Sequence, residues 1–150
     1  MFKKLSAILL TFWLGSLWFN GVVASVIFNT LDDRQLAGVL AGKLFTMVSY
    51  IGMSSALYLI AHAWITHGKS AFKQSIIWII VVMLLFILVG HFGIQSVLAH
   101  LKILALPNQV MDSEYASQFG LWHGVAGVFY TIECLLGIVL LLKMRANTMT

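Results

Sequence analysis

Four of the ionisable side chains inside long apolar stretches of the sequence could do chemistry, because a charge there is costly and therefore informative. Lys43, His91 and His123 come from three different stretches, and Glu133 follows His123 in the last one. Two imidazoles at one depth could ligate haem b or another metal centre, with Lys43 beside a haem propionate or as an alternative ligand. A carboxyl far from both ends of a membrane span could relay protons. These residue types therefore allow redox chemistry on a cofactor, or proton transfer.

Each of these groups also has a purely structural explanation. Lys43 can extend its ammonium group to the membrane surface along its alkyl stem. A lone histidine in a helix is more often a hydrogen-bonded packing residue than a ligand. A buried carboxyl such as Glu133 is commonly neutral and bonded to a neighbouring helix, and the hydroxyl of Tyr58 is a candidate partner. Both interpretations stay open.

No further catalytic pattern is visible in the sequence. It contains no nucleophile–base pair, phosphate-binding loop or recognised metal motif, and its single cysteine, Cys134, cannot form an internal disulfide. We therefore expect a non-enzymatic role, either as an assembly or partner-binding component or as a small permeation element.

The composition identifies the solvent that surrounds most of the chain. Of 150 residues, 61% are hydrophobic and 9% are charged, whereas about 25% are charged in soluble domains. The mean hydropathy is +0.97. This balance excludes soluble enzymes and nucleic-acid binders, and it predicts that the lipid bilayer surrounds the protein.

Four apolar segments must position the polar side chains. They cover about residues 5–28, 37–64, 76–98 and 119–142, and the shortest has 23 residues, which at 1.5 Å each exceeds a bilayer core of about 30 Å. The sequence predicts an all-α protein, a single four-helix transmembrane bundle over residues 1–150. Asp32, with Gln35 three residues later, is the expected cap of the second helix.

The charges are segregated between the two ends of this bundle. The bases that flank the spans at one end are Lys3, Lys4, Lys69, Lys73, Lys143 and Arg145. The acids at the other end are Asp32, Asp33, Asp112 and Glu114. The positive-inside rule then predicts an inner-membrane protein with both termini in the cytoplasm. We refer to the end with the loops at 29–36 and 102–117 as the acidic end, and to the opposite end as the basic end.

Polar side chains concentrate towards the acidic end. Lys43, His91 and His123 lie roughly 6 to 10 Å below that boundary, counted at 1.5 Å per residue. Asn20 in the first span and Gln95, one turn from His91, complete a polar layer to which all four helices can contribute.

Small residues predict where helices approach closely. Gly38 and Gly42 lie one turn apart on the second span, and Gly124 lies beside His123. Lipid supplies no hydrophobic drive between helices, so small residues that increase the contact area are typical of packing faces. The same faces could pair two copies of the chain or bind another membrane protein.

Several short motifs carry a resemblance to a known family. They are Trp13-Leu14-Gly15 through Phe28, Ala37-Gly38, Gly42, Leu44-Phe45, and Phe119 with His123-Gly124. In this ordered set the chain resembles the bacterial domain-of-unknown-function 4149 family and is similar to transmembrane protein 205. The resemblance implies a small four-span membrane protein of uncharacterised role. Strictly carried over, it marks only Ala37-Gly38 and His123-Gly124, and the chain departs from the family pattern at Ser25 and at Val125-Ala126.

The resemblance also bears on two alternative functions. The eukaryotic relative is associated with drug resistance, which implies a proton-coupled exporter that uses Glu133. The family also looks distantly like copper-resistance D-type proteins and a haem-binding protoporphyrinogen oxidase. The haem b or metal redox alternative itself is based on the equal depth of His91 and His123 and on the glycines beside His123.

Overall fold

The computed structural model describes the backbone of residues 2–148 and the side chains of residues 4–144. Over that range the protein is built from helices and contains no strand. The α-helices are α1 (Phe2–Thr30), α2 (Arg34–His67), α3 (Ser75–Leu88), α4 (Gln95–Leu104) and α5 (Ala116–Thr148). Short 3-10 helices occupy Gly68–Lys73 and Val110–Asp112, and a π-helical segment, Val89–Ile94, joins α3 to α4.

Four helical stretches are long and apolar enough to cross a membrane, which confirms the predicted all-α fold with four spans. They are Lys4–Thr30, Arg34–Lys73, Ser75–Leu104 and Ala116–Met144. Each extends beyond its predicted limits, because the prediction followed apolarity whereas helical hydrogen bonding continues into the polar flanks. Membrane orientation stays a prediction, and two of the bases that support it, Lys3 and Arg145, fall outside the residues whose side chains are described.

The cap of α2 differs by one residue from the prediction. Asp33, not Asp32, precedes the helix, and its carboxylate accepts hydrogen bonds from the backbone amides of Gln35 at 2.8 Å and Leu36 at 3.0 Å. Because the helix begins at Arg34, only the residue directly before it can reach the free amides of the first turn. Gln35 is only two residues after Asp33, which is too close for its side chain to form the reciprocal half of the predicted cap.

The helices form a ring in which sequence neighbours touch. α1 packs on α2, α2 on α3, α3 and α4 on α5, and α5 closes the ring with a lighter contact to α1. The largest fully buried side chains are Trp13, Leu14, Leu17, Met83 and Leu140. The core therefore lies between all four spans, on the face of α1 where residues recur at three- and four-residue spacing.

One glycine brings three helices together at mid-depth. A Cβ atom at Gly52 would lie 2.6 Å from Cδ1 of Ile87 and 2.8 Å from Nε1 of Trp13. Both distances are shorter than van der Waals contact, so α1 and α3 approach α2 this closely only because residue 52 has no side chain.

Other glycines set the distance between α5 and α1. A Cβ atom at Gly137 would lie 3.0 Å from Cδ2 of Leu14, and one at Gly21 would lie 2.8 Å from the hydroxyl oxygen of Tyr130. That hydroxyl donates a hydrogen bond to the carbonyl of Leu17. The contact between α5 and α1 therefore depends on these two glycines and on Tyr130.

The glycines that the sequence predicted as packing positions are not used in this way within the chain. Of the side chains and backbone that the structure describes, none comes within 4 Å of a Cβ placed on Gly42 or Gly124, and Gly38 faces only Nζ of Lys102, at 3.9 Å. A close helix approach at Gly38, Gly42 or Gly124 therefore stays a prediction about contact with another chain.

Candidate functional site

A hydrogen bond between side chains joins two spans near the acidic end. Oγ1 of Thr46 on α2 donates to Oε1 of Gln95 on α4 at 3.1 Å. The Thr46 hydroxyl also lies 3.0 Å from the carbonyl of Gly42. Gln95, which the sequence placed in a polar layer, thus contacts a neighbouring span.

Asn20 is the most deeply buried polar side chain of that layer. It is 3% exposed, and neither its amide nitrogen nor its amide oxygen has a hydrogen-bond partner in the described part of the chain. It shares the buried face of α1 with Trp13 and Leu17, at three- and four-residue spacing. The fold therefore turns this amide towards the bundle interior.

His91 lies in the π-helical segment. The backbone amide of Gln95 bonds to the carbonyl of Gly90, which is the i to i−5 pattern of a π turn. The imidazole packs edge-on against Tyr50 of α2, with ring centroids 5.1 Å apart, and against Phe92 at 4.8 Å. Its Nδ1 atom is buried without a hydrogen-bond partner among the described residues.

His123 has different neighbours and is exposed. Its ring stacks on Phe119 with centroids 6.1 Å apart, and it meets the edge of Phe28 on α1 at 6.5 Å. His91 faces α2 whereas His123 faces α1, so their ring contacts place the two imidazoles at different helix interfaces. Their joint role as haem ligands stays a prediction, and these contacts do not bring them together.

A metal ion could also be bound by a larger cluster of ligands. Among the described side chains, no group of three or more His, Cys, Asp and Glu residues could hold a metal ion. Lys43, the third predicted cofactor residue, is exposed. That exposure agrees with an ammonium group that reaches the membrane surface.

Lys102 is a cation that the sequence analysis missed. It is half-buried at the acidic end of the third span, and its Nζ lies 5.6 Å from the centroid of the Phe119 ring, where a cation–π interaction forms. The sequence did not indicate its direction, because a single lysine among apolar residues does not determine the rotation of a helix. The residue links α4 to α5 next to His123.

Glu133 is half-buried near the middle of α5, and no residue described here forms a hydrogen bond or ion pair with it. The expected partner was the hydroxyl of Tyr58, but that oxygen is itself buried without a partner in the described range. The ring of Tyr58 instead stacks on His62, with centroids 6.0 Å apart. The proposed pairing was wrong because the two residues lie at different depths. Gly52 and Gly137 meet the adjacent residues Trp13 and Leu14, and Tyr58 lies six residues from Gly52 towards the basic end, whereas Glu133 lies four residues from Gly137 towards the acidic end.

The outer surface of α5 changes character along its length. One exposed face is made of small residues in the acidic half and bulky aliphatic residues in the basic half. The small residues, at successive helical turns, are Gly120, Gly124, Gly127 and Thr131; the bulky ones are Leu135, Ile138 and Leu142. We call the first set the small face. Within the described structure, no atom lies within 4 Å of a Cβ placed on any of its three glycines.

Comparison with known proteins identifies the family of the chain. Residues 8–105 match the model of a family described as "Domain of unknown function (DUF4149)". Neither the comparison with curated proteins nor that with solved structures gives a match. The match covers α1 to α4 and ends before α5, so Glu133, His123 and the small face lie outside the matched region. With most of its length matched, the chain belongs to the DUF4149 family.

Proposed function

We propose that this protein is a non-catalytic membrane component that works by association in the bilayer, and that its small face on α5 pairs with the same face of a second copy. The observation that carries this proposal is the exposure of Gly120, Gly124, Gly127 and Thr131 along one side of a candidate membrane span.

The physical reason concerns contact area in lipid. Bulky aliphatic side chains cover the rest of this face, such as Leu135 and Ile138, and they pack well against acyl chains. Three glycines instead leave a shallow groove with accessible backbone. Gly120 and Gly124 have the four-residue spacing that lets two helix backbones approach, and Gly127 and Thr131 repeat it. A neighbouring helix gains more contact in this groove than lipid does.

A second copy is the simplest occupant because the groove is self-complementary. Under a two-fold axis parallel to the spans, the small half of one α5 meets the small half of the other, and the bulky halves diverge. Dimerisation would also enlarge a bundle whose four spans enclose little volume.

The test compares two exposed glycines on different helices. Gly124→Ile fills the small face, while Gly15→Ile adds the same side chain on α1, where no described atom lies within 4 Å of the new Cβ. The fraction of dimer is measured in lipid nanodiscs by donor–acceptor energy transfer over a range of protein-to-lipid ratios. We expect Gly124→Ile to weaken association about tenfold, equivalent to ~1.4 kcal/mol, and Gly15→Ile to leave it within twofold.

Two results would contradict the proposal. Equal effects of the two variants would mean that the small face is not the interface. If the wild-type protein stays monomeric at the highest protein-to-lipid ratio, a second copy does not occupy the groove on α5.

Glu133 supports a second candidate function, proton-coupled export. The observation that favours it is a half-buried carboxyl for which the described structure supplies no hydrogen bond or ion pair, because intramembrane acids of this kind often carry protons. Transport by proteoliposomes is compared for wild type and Glu133→Gln under an imposed proton gradient. Loss of the proton dependence supports this function, and an unchanged dependence rules it out.

A further inference from the structure

We infer that Asn20 anchors an internal binding site in the acidic half of the bundle, and that this site takes a small neutral guest that both donates and accepts hydrogen bonds, either water or a small polar solute. The inference is independent of the small face of α5 and of any role of Glu133.

The first argument is the state of the Asn20 amide. The side chain is 3% exposed and holds two donor hydrogens and a carbonyl oxygen, none of which bonds to a described residue. Lipid cannot supply the missing bonds. An apolar side chain of similar size would pack at this position without that penalty, so an unpaired amide here indicates that a guest completes its hydrogen bonds.

The second argument is the depth of other polar groups. Trp13, Gly52 and Ile87 meet at one level of the bundle. Asn20 lies seven residues from that level along α1, and Thr46 and Gln95 lie six and eight residues from it on their own helices. At about 1.5 Å per residue, all three are roughly 9 to 12 Å closer to the acidic end. The Thr46–Gln95 hydrogen bond is therefore level with Asn20.

The third argument is a second unpaired atom at a nearby depth. Nδ1 of His91 is buried and has no hydrogen bond to the described chain. His91 lies four residues from the level of Ile87, about 4 Å deeper than Asn20. The acidic half of the bundle thus contains a second buried polar atom whose hydrogen bond is not supplied by the described chain. The π-helical segment that carries His91 is a feature often found at functional sites.

The surrounding groups restrict the guest. The polar atoms at this depth belong to amides, a hydroxyl and an imidazole, which complement a neutral molecule better than an ion. Tyr130 fills the space beside Gly21 and packs edge-on against Phe45, with ring centroids 5.2 Å apart. These aromatic rings occupy the α5 side of the site, which limits the size of a guest.

The test uses the full-length protein in lipid nanodiscs with ¹⁵N-labelled asparagine. Asn20→Leu assigns the Asn20 amide resonance by its disappearance. The control is Asn29→Leu, because Asn29 is exposed and its amide nitrogen already donates to the carbonyl of Ser25 at 2.8 Å. We expect the Asn20 amide protons to show cross-relaxation either to water or to a co-purified solute. If the guest is a solute, native mass spectrometry should detect it in the wild type and not in Asn20→Leu.

The two positive results distinguish the two kinds of guest, and both support the site. We also expect Asn20→Leu to lower the unfolding temperature by about 3–8 °C, because the guest bonds are lost, while Asn29→Leu has little effect. Absence of cross-relaxation to water and to any solute overturns the inference, whatever the stability of the variant. If Asn20→Leu does not fold, the Asn20 resonance is assigned by elimination, with Asn29, Asn108 and Asn147, the three other asparagines, replaced one at a time. The wild-type measurement then still decides the question.

Discussion

The hydroxyl oxygen of Tyr130 lies 2.8 Å from the point that a Cβ of Gly21 would occupy. It donates a hydrogen bond to the carbonyl of Leu17, one helical turn earlier on the same face of α1. Trp18 adds a bond from its indole nitrogen to the carbonyl of Cys134, at 3.2 Å. The contact between the first and last spans thus depends on a tyrosine that rests directly on helix backbone.

Gly21→Ala should therefore destabilise the protein by about 1–3 kcal/mol, since the added methyl group meets the Tyr130 hydroxyl. Tyr130→Phe removes that oxygen, and we expect the double variant to recover part of the loss. Unfolding of all four proteins in mild detergent, followed by near-UV circular dichroism, gives the coupling free energy. Additive effects would show that the two residues do not touch.

Gly52→Ala should be more disruptive than the same change at an open glycine. The new methyl group would meet Cδ1 of Ile87 and Nε1 of Trp13, so we expect a loss of about 1–3 kcal/mol. Ile87→Val deletes the Cδ1 atom and should restore part of the stability in the double variant. Gly15→Ala is the control, because the described structure has no atom within 4 Å of its Cβ position. A loss at Gly15 equal to that at Gly52 would contradict this account of packing.

The hydrogen bond between Thr46 and Gln95 should contribute a measurable coupling between α2 and α4. Thr46→Val, Gln95→Leu and the double variant form a double-mutant cycle, and we expect a coupling of about 0.6 kcal/mol, typical of hydrogen bonds between membrane helices. Thermal unfolding in nanodiscs is the measurement. A coupling of zero within error would mean that the 3.1 Å contact does not persist in the bilayer.

The haem hypothesis makes a spectroscopic prediction. Because His91 packs on Tyr50 of α2 and His123 on Phe28 of α1, we expect no Soret band that requires both imidazoles. The visible spectrum is recorded before and after dithionite reduction, with protein purified from cells grown with a haem precursor. A reduction-sensitive Soret band that disappears in both His91→Ala and His123→Ala would overturn this expectation and establish the redox function.

Hydropathy predicted the four spans because lipid imposes a simple requirement, namely about 20 apolar residues with every backbone group bonded internally. The same requirement could not locate the helix contacts. A glycine that meets a neighbouring helix, such as Gly52, and one that faces outward, such as Gly124, look alike in a sequence. Their difference depends on helix rotation, which is set by the side chains that interlock around Trp13.

The sequence identified the residues of the polar site better than it identified the contacts between them. Asn20 and Gln95 stood out because amides are rare at membrane depth. The neighbours of His91 could not be predicted, because they depend on the π turn. The residues of an apolar run do not indicate where a helix accommodates one extra residue per turn. The partner of Glu133 was misassigned because the sequence does not show how the depths of residues on different helices correspond.

The π-helical segment Val89–Ile94 controls the phase between the two halves of the third span. A π turn holds one residue more than an α-helical turn, and an α-helix turns by about 100° per residue, so insertion of a further residue in this segment would rotate all of α4 by about that angle relative to α3. Gln95 would then turn away from Thr46, and Lys102 would leave the ring of Phe119. The length of six residues, more than their identity, keeps the acidic half of this span in step with its neighbours.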